Sequence, residues 1–160
     1  MKILMVCLGN ICRSPIAEGV LLEKIKKHNL DWEVDSAGIG HWHTGEKPDE
    51  RAIFTANKFG IDITYQRARQ FSKPDFRKFD KIYAMDLPVK KFLLSLADNE
   101  TESEKVDLIL NELHPGKNLS IRDPYEDNDL KGFEETFLVL EKPVKRLFKN
   151  ILRGRNNQWA

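Results

Sequence analysis

Short segments typical of buried strands alternate along the chain with longer segments in which apolar residues recur every three or four positions. The predicted strands cover residues 2–6, 32–36, 81–85 and 106–110. The predicted helices cover 16–27 and 48–59, begin at Ser72 and after Asp86, and end with a long helix over 133–151. Strands that alternate with helices are typical of a parallel sheet covered on both faces. We therefore predict an α/β fold with a four-stranded parallel sheet, in a single domain over residues 1–160.

The segment that joins the first strand to the first helix has the sequence Cys-Leu-Gly-Asn-Ile-Cys-Arg-Ser-Pro, from Cys7 to Pro15. Ser14 suits the N-cap position and Pro15 the first helical position, so the free N–H groups of the helix N-terminus are expected to face this loop. Gly9 and Asn10 readily take positive φ angles, which curl a loop into a nest of N–H groups. The sequence therefore predicts an anion-binding loop after the first strand.

Two side chains of this loop suggest a reaction at a bound phosphate. The guanidinium of Arg13 is a planar fork of donors that matches two oxygens of a phosphate. The thiol of Cys7, held above these positive groups, is expected to ionise readily and to act as a nucleophile. The alternative makes Cys7 a buried structural residue and Arg13 a solvated surface charge. The strand–loop–helix context favours the catalytic interpretation.

Five segments of the chain match a known family in the family's own order: residues 6–18, 34–38, 68–70, 84–86 and 123–125. On these segments, which span essentially the whole chain, the sequence resembles the low-molecular-weight protein tyrosine phosphatases. The resemblance implies hydrolysis of phosphotyrosine in protein substrates through a phosphocysteine intermediate, with inorganic phosphate as a product. It implies neither a metal nor an organic cofactor.

The resemblance also implies roles for individual residues. Cys7 corresponds to the nucleophile, Arg13 to the phosphate-binding arginine, and Asp123 to the general acid and base. From the residues alone, Asp123 followed by Pro124 predicts only a turn. The hydroxyl of Ser14 corresponds to a donor to the Cys7 sulfur. The residues expected to bind phosphate or to support the loop are Leu8, Gly9, Asn10, Ile11, Cys12, Ser14 and Ser36.

An aryl phosphate needs flat apolar walls at the mouth of its pocket. By resemblance, Tyr125 supplies one wall and Trp42 the other, although a partly buried anchor of its loop explains Trp42 nearly as well. The sequence departs from common family choices at three positions, namely Ile39, Gln66 and Glu126. These departures bear on loop stiffness and pocket shape, because none of them falls on the expected nucleophile, phosphate ligands or acid.

Two other activities belong to related folds. Arsenate reductases pass oxidation through cysteines outside the loop, whereas this chain has only Cys7 and Cys12. Protein-arginine phosphatases carry Thr at the position of Ile11, and an apolar Ile favours an aryl leaving group over a polar guanidinium. A phosphate-binding module without activity is a third alternative, but mere binding requires neither the thiol nor the acid.

Composition narrows the setting of this chemistry. A net charge of +1 over 160 residues gives no reason to expect nucleic acid or a membrane surface as a partner. The apolar start is short and lacks a cleavage site, so we expect neither a signal peptide nor a membrane span. We expect a monomer in the cytoplasm, because two cysteines in one loop do not suit a secreted fold. Both cysteines lie in one loop, which predicts neither a disulfide framework nor a zinc site. Cys12 is expected either to pack the loop or to form a reversible disulfide with an oxidised Cys7.

Overall fold

A computed structural model describes residues 1–157, so residues 158–160 of the predicted domain lie outside the described residues. The strands are β1 (Lys2–Cys7), β2 (Glu33–Gly38), β3 (Lys81–Ala84) and β4 (Val106–Leu108). The helices are α1 (Arg13–Lys27), α2 (Glu50–Lys58), α3 (Asp75–Lys78), α4 (Leu87–Leu96), α5 (Glu100–Glu104) and α6 (Lys131–Asn157). None of the described helices combines the length and the apolar character needed to cross a membrane.

The four strands form one parallel sheet in the order β2-β1-β3-β4. One face, which includes Ile3 and Met5, packs against α1 and α6 in the larger core. The opposite face, which includes Leu4 and Val6, packs against α3 and α4. The predicted α/β fold with helices on both faces is therefore confirmed. β2 and β3 lie on opposite sides of β1, so the strand order changes direction beside β1, and ligands of such sheets bind at this point.

The predicted elements differ from the structure mainly at short segments. The fourth strand ends at Leu108, and the apolar residues that follow belong to a 3-10 helix over Ile109–Glu112. An apolar run alone cannot separate these two conformations. The third helix begins at Asp75 rather than at Ser72. The residues between them form a turn, in which the Asp75 N–H donates to the Ser72 carbonyl at 2.9 Å and the Asp75 carboxylate accepts the Ser72 N–H at 2.9 Å. Helix α5 was not predicted, since it buries no side chain and has no apolar periodicity.

Candidate active site

The phosphate loop, residues 7–14, follows β1 at the carboxyl end of the sheet. Asn10 has a φ angle of 58°, as its residue type predicts. The same expectation for Gly9 is wrong, because the φ angle of Gly9 lies outside the left-handed region. A Cβ on Gly9 would lie 3.2 Å from Cδ2 of His43, so the glycine gives room to a neighbouring loop. A Cβ on Gly38, at the end of β2, would lie 2.9 Å from the carbonyl oxygen of Leu8.

The Cys7 sulfur receives two contacts inside this loop. Its Sγ lies 3.0 Å from Ser14 Oγ and accepts the backbone N–H of Asn10 at 3.3 Å. The prediction that Ser14 caps the first helix is wrong: α1 begins at Arg13, and Cys12 occupies the cap position without a side-chain bond. Ser14 lies in the first helical turn, where its hydroxyl contacts Cys7 instead of a backbone N–H.

The side chain of Asn10 sets the direction of the Ser14 hydroxyl. Its amide donates one hydrogen to Ser14 Oγ at 2.8 Å and the other to Ser36 Oγ at 2.9 Å. Its carbonyl oxygen accepts the backbone N–H of Arg69 at 3.0 Å. Because Ser14 accepts from Asn10, its own hydrogen is free to point at Cys7 Sγ, which is nearer than the alternative acceptor, a backbone carbonyl at 3.5 Å. The arrangement makes Ser14 a donor to sulfur.

Glu18 extends this network, and sequence reasoning gave it no role. Ser36 donates to Glu18 Oε2 at 2.6 Å, and the Tyr65 hydroxyl lies 3.4 Å from Oε1. Burial raises the pKa of Glu18 from 4.5 to about 7. The side chain of Gln66, one of the departures from the family pattern, donates to the carbonyl of Pro15 and not to Glu18. Only the position of Glu18 within the matched segment 6–18 pointed to it.

Arg13 connects the phosphate loop to two other parts of the chain. Its side chain is 2% exposed, and Nη1 donates to Asp86 Oδ2 at 2.6 Å and to the Ile121 carbonyl at 2.8 Å. Its Nη2 lies 3.3 Å from Asp123 Oδ2. Among the described residues, Arg13 Nε has no hydrogen-bond partner. Asp86 also caps α4 through the N–H of Val89, which fixes the carboxylate that orients Arg13.

Asp86 received no role from the sequence, although it lies in a matched segment. A signal was present, because Asp86 follows β3 and β3 is the neighbour of β1 in the sheet. Side chains at the carboxyl ends of adjacent parallel strands lie close together. The residue could therefore have been proposed from the predicted topology.

The structure brings Cys7, Arg13 and Asp123 together around one cavity of about 250 Å³. Asp123 is 37% exposed, and its Oδ1 accepts the backbone N–H of Tyr125 at 3.1 Å. The remaining lining residues are mostly apolar or aromatic: Leu8, Gly9, Ile11, Cys12, Trp42, His43, Tyr125 and Glu126. Asn10 and Ser14, within the loop, and Ser36, beside it, are buried and are not among the lining residues.

The expected walls, Trp42 and Tyr125, both line the mouth of this cavity. Trp42 is 61% exposed, which argues against a buried anchor of its loop. His43 also lines the cavity, although no sequence feature pointed to it. Its ring lies 6.1 Å from that of Tyr125, and its Nδ1 lies 2.7 Å from Glu46 Oε2. A single histidine in a loop does not indicate from the sequence that it lines a site. Only the fold of its loop brings His43 next to Gly9.

The second cysteine differs from the first in its surroundings. Both thiols are free and buried. Burial, followed by the negative charge of Asp49, raises the pKa of Cys12, so this side chain stays a neutral thiol. In residues 1–157, no group of three or more His, Cys, Asp or Glu side chains is arranged to hold a metal ion.

The family model described as low molecular weight phosphotyrosine protein phosphatase matches residues 2–157. The chain belongs to this family. It is 45% identical over 138 residues to low molecular weight phosphotyrosine protein phosphatase 1 of Drosophila melanogaster, covering 85% of this chain and 87% of that one. The predicted family and its enzyme class, the phosphoric monoester hydrolases, are thereby confirmed.

Solved structures of the family share the fold across the chain. A protein tyrosine phosphatase from Entamoeba histolytica superposes with a TM-score of 0.88 and is 33% identical, covering 97% of this chain and 99% of that one. A Drosophila arginine phosphatase superposes with a TM-score of 0.83 at the same identity, covering 94% and 98%. Overall similarity of fold therefore does not distinguish a tyrosine phosphatase from an arginine phosphatase. The residues that line the cavity have to be compared instead.

Proposed function

We propose that this protein hydrolyses phosphotyrosine in protein substrates, with Cys7 as nucleophile and Asp123 as general acid and base. The observation that carries the proposal is the cavity itself. It is lined by a thiol, by a buried guanidinium that lies 3.3 Å from a carboxylate oxygen, and by two exposed aromatic side chains. The unpartnered Nε of Arg13 and the N–H groups of the loop are donors of the kind that phosphate oxygens require.

In the first step, the Cys7 thiolate attacks phosphorus and the bond from phosphorus to the tyrosine oxygen breaks. Asp123, protonated, donates its proton to the departing oxygen. Arg13 and the loop amides stabilise the charge on the three equatorial oxygens. Asp86 contributes indirectly, because its bond to Nη1 fixes the plane of the Arg13 guanidinium.

In the second step, water attacks the phosphocysteine and the bond from phosphorus to sulfur breaks. The Asp123 carboxylate accepts a proton from the water. The Ser14 hydroxyl, held as a donor by Asn10, stabilises the departing Cys7 thiolate. Inorganic phosphate leaves, and both side chains return to their starting states.

Pocket shape favours phosphotyrosine over phosphoserine. Cys7 is 3% exposed, whereas Trp42 and Tyr125 stand at the mouth with exposures of 61% and 42%. The short serine ester is expected to fall short of the sulfur, while a phenyl ring fills the space between the walls.

Hydrolysis of phosphoarginine is the second candidate, given the likeness to the Drosophila arginine phosphatase. Buried Ile11 on the cavity floor offers no hydroxyl to a guanidinium leaving group.

A panel of phosphotyrosine, phosphoserine and phosphoarginine peptides, together with arsenate, tests this assignment. We expect turnover of phosphotyrosine, unchanged by a chelator, and its loss in Cys7→Ser but not in the matched variant Cys12→Ser. Preference for phosphoarginine, reduction of arsenate, or full activity of Cys7→Ser would each contradict the proposal.

We also infer that the enzyme works as a cytoplasmic monomer with neither nucleic acid nor membrane as a partner. Two free thiols suit a reducing compartment, and the net charge of +1 provides no strong field for a polyanion. A molecular mass in solution equal to that of one chain, measured by light scattering, is the expected result. A dimer at micromolar concentration would contradict it.

A further inference from the structure

The acid loop, residues 121–127, is attached to the rest of the molecule on both sides of Asp123. On the upstream side, the Ile121 N–H donates to the carbonyl of Met85 at 2.9 Å. The Ile121 carbonyl accepts from Arg13 Nη1 at 2.8 Å. These bonds tie the start of the loop to the end of β3 and to the phosphate-binding arginine.

On the downstream side, the attachment is made by Arg51, in the first turn of α2. Its Nη2 donates to the carbonyl of Tyr125 at 2.9 Å, and its Nη1 donates to the carbonyl of Asp127 at 2.5 Å. The guanidinium also lies over the ring of Phe133, 4.5 Å from its centroid. One side chain therefore binds two backbone carbonyls immediately after the expected acid.

Arg51 is itself fixed relative to the phosphate loop. The Asp49 carboxylate accepts from Arg51 Nε at 3.0 Å and from Nη2 at 2.9 Å, and it also accepts the backbone N–H of Arg51. The backbone N–H of Asp49 donates to the carbonyl of Ile11 at 2.8 Å. A continuous path of hydrogen bonds thus runs from the floor of the cavity, through Asp49 and Arg51, to the acid loop.

We propose that Arg51 is a positioning residue for the reaction, holding the acid loop so that Asp123 meets the leaving oxygen. The proposal rests on the proposed function of Asp123. A lysine could not replace the arginine fully, because an ammonium is a compact charge without the planar fork that engages both carbonyls and the carboxylate. An ordinary structural ion pair, by contrast, would contribute to stability and leave the chemistry of a folded enzyme unchanged.

Proton donation provides a readout that separates these roles. Phenyl phosphate has a poor leaving group that needs protonation, whereas the nitrophenolate of p-nitrophenyl phosphate departs with little help. For Arg51→Gln, we expect kcat/KM to fall about thirtyfold on phenyl phosphate. This is less than the roughly 10²- to 10⁴-fold contribution of a general acid, because the acid is misplaced and not removed. On p-nitrophenyl phosphate we expect a fall of about threefold or less. Inhibition by inorganic phosphate is expected to stay unchanged, because Arg13 and the loop amides are intact.

Arg67→Gln is the matched control, because Arg67 also donates to two backbone carbonyls, those of Thr64 and Gln66, and does not line the cavity. We expect this control to behave as wild type on both esters. The loss of kcat/KM in Arg51→Lys is expected to lie between those of wild type and Arg51→Gln. If the glutamine variant does not fold, the lysine variant allows the same comparison of kcat/KM on the two esters.

Equal losses on the two esters, or no loss, in a folded Arg51 variant would overturn the positioning role. A parallel loss of phosphate inhibition would overturn it as well, since the defect would then lie in the phosphate loop. Absence of turnover of either ester by the wild type would instead overturn the proposed function. The two failures are therefore distinguishable.

Discussion

The phosphate loop is built around buried side chains that bond to one another as well as to Ser36 and Asp86, whereas the acid loop is partly exposed and is attached through residues far away in the sequence. In the phosphate loop, Cys7, Asn10 and Ser14 contact one another within eight consecutive positions. In the acid loop, Asp123 and Tyr125 are 37% and 42% exposed. This loop is attached to the rest of the molecule through Met85 and, more than seventy positions upstream, through Arg13 and Arg51.

This difference separates two requirements of catalysis. Binding a phosphate demands donors that are already in place, and a buried loop fixed by several hydrogen bonds provides them. Donating a proton to substrates of varied shape demands a carboxyl near the opening, which a surface loop provides. We therefore expect substitutions in the acid loop to impair proton transfer while phosphate binding persists, and substitutions in the phosphate loop to impair the sulfur chemistry.

The sharpest test of this division is Asp123→Asn. Removing the acid and base is expected to lower kcat by about 10²- to 10⁴-fold, the usual contribution of a general acid. The inhibition constant of inorganic phosphate should change little. Asp129→Asn is the control and should match wild type, because this nearby exposed carboxylate accepts the backbone N–H of Lys131 and does not line the cavity. A lost affinity for phosphate in Asp123→Asn would show that the two loops do not act separately.

Glu18→Gln tests the network beside the phosphate loop through stability. Burial first, and the negative charge of Asp35, raise the pKa of Glu18 from 4.5 to about 7, while bonds from Ser36 and Tyr65 and the charge of Arg69 oppose the rise. The folded state therefore binds more protons than the unfolded state between these values, so wild-type stability falls as pH rises from about 4.5 to 7. The loss is about 3 kcal/mol.

The glutamine variant stays neutral, so its free energy of unfolding should lack this decline when urea unfolding is followed at pH 5 and pH 8. Glu23→Gln, on the same helix but outside the network, is expected to keep the wild-type dependence. A decline of equal size in Glu18→Gln and wild type would assign it to other groups.

Ser14→Ala tests the sulfur chemistry of the phosphate loop. The variant loses a donor to the thiolate that departs in the second step. A hydrogen bond to a charged group contributes about 1.5 kcal/mol or more, so hydrolysis of the phosphocysteine should slow about tenfold. Stopped-flow measurement with p-nitrophenyl phosphate should show a larger burst of nitrophenol before a slower steady state. A reduced burst with an unchanged steady state would place Ser14 in the first step.

Cys12→Ser is expected to change basal activity least. Peroxide should convert the Cys7 thiolate to a sulfenic acid, which the Cys12 thiol attacks to form a disulfide with release of water. A thiol reductant then restores both cysteines in the wild type, whereas the variant proceeds to irreversible oxidation. Activity after peroxide and then reductant measures the difference. Equal recovery would leave Cys12 a packing residue.

The same contrast explains what could be predicted from the sequence. The phosphate loop lies in one contiguous segment, so the strand, the turn residue Asn10, Cys7 and Arg13 could be located before the fold was known. The prediction that Ser14 caps the helix was wrong. The preference of serine for cap positions reflects bonds to backbone N–H groups, whereas here the hydroxyl contacts the Cys7 sulfur. The left-handed angle expected at Gly9 was wrong because that glycine accommodates a distant loop.

Residues that act across the fold could not be found in this way. Asp86, His43 and Arg51 reach the site through contacts between segments far apart in sequence. Local sequence patterns do not predict such contacts. Among these three residues, only Asp86 could have been proposed, because it follows a strand adjacent to β1 in the predicted sheet. Asp123 was located by resemblance to the family, since its own sequence predicts a turn.

The most direct test of the central claim is detection of phosphate on Cys7. Asp123→Asn should accumulate the intermediate from p-nitrophenyl phosphate, because the good leaving group permits the first step while the second lacks its base. Rapid acid quench, digestion and mass spectrometry should find the phosphoryl group on the peptide that contains Cys7, and on no peptide of Cys7→Ser. A phosphoryl group on another residue, or none during turnover of the wild type, would contradict the account.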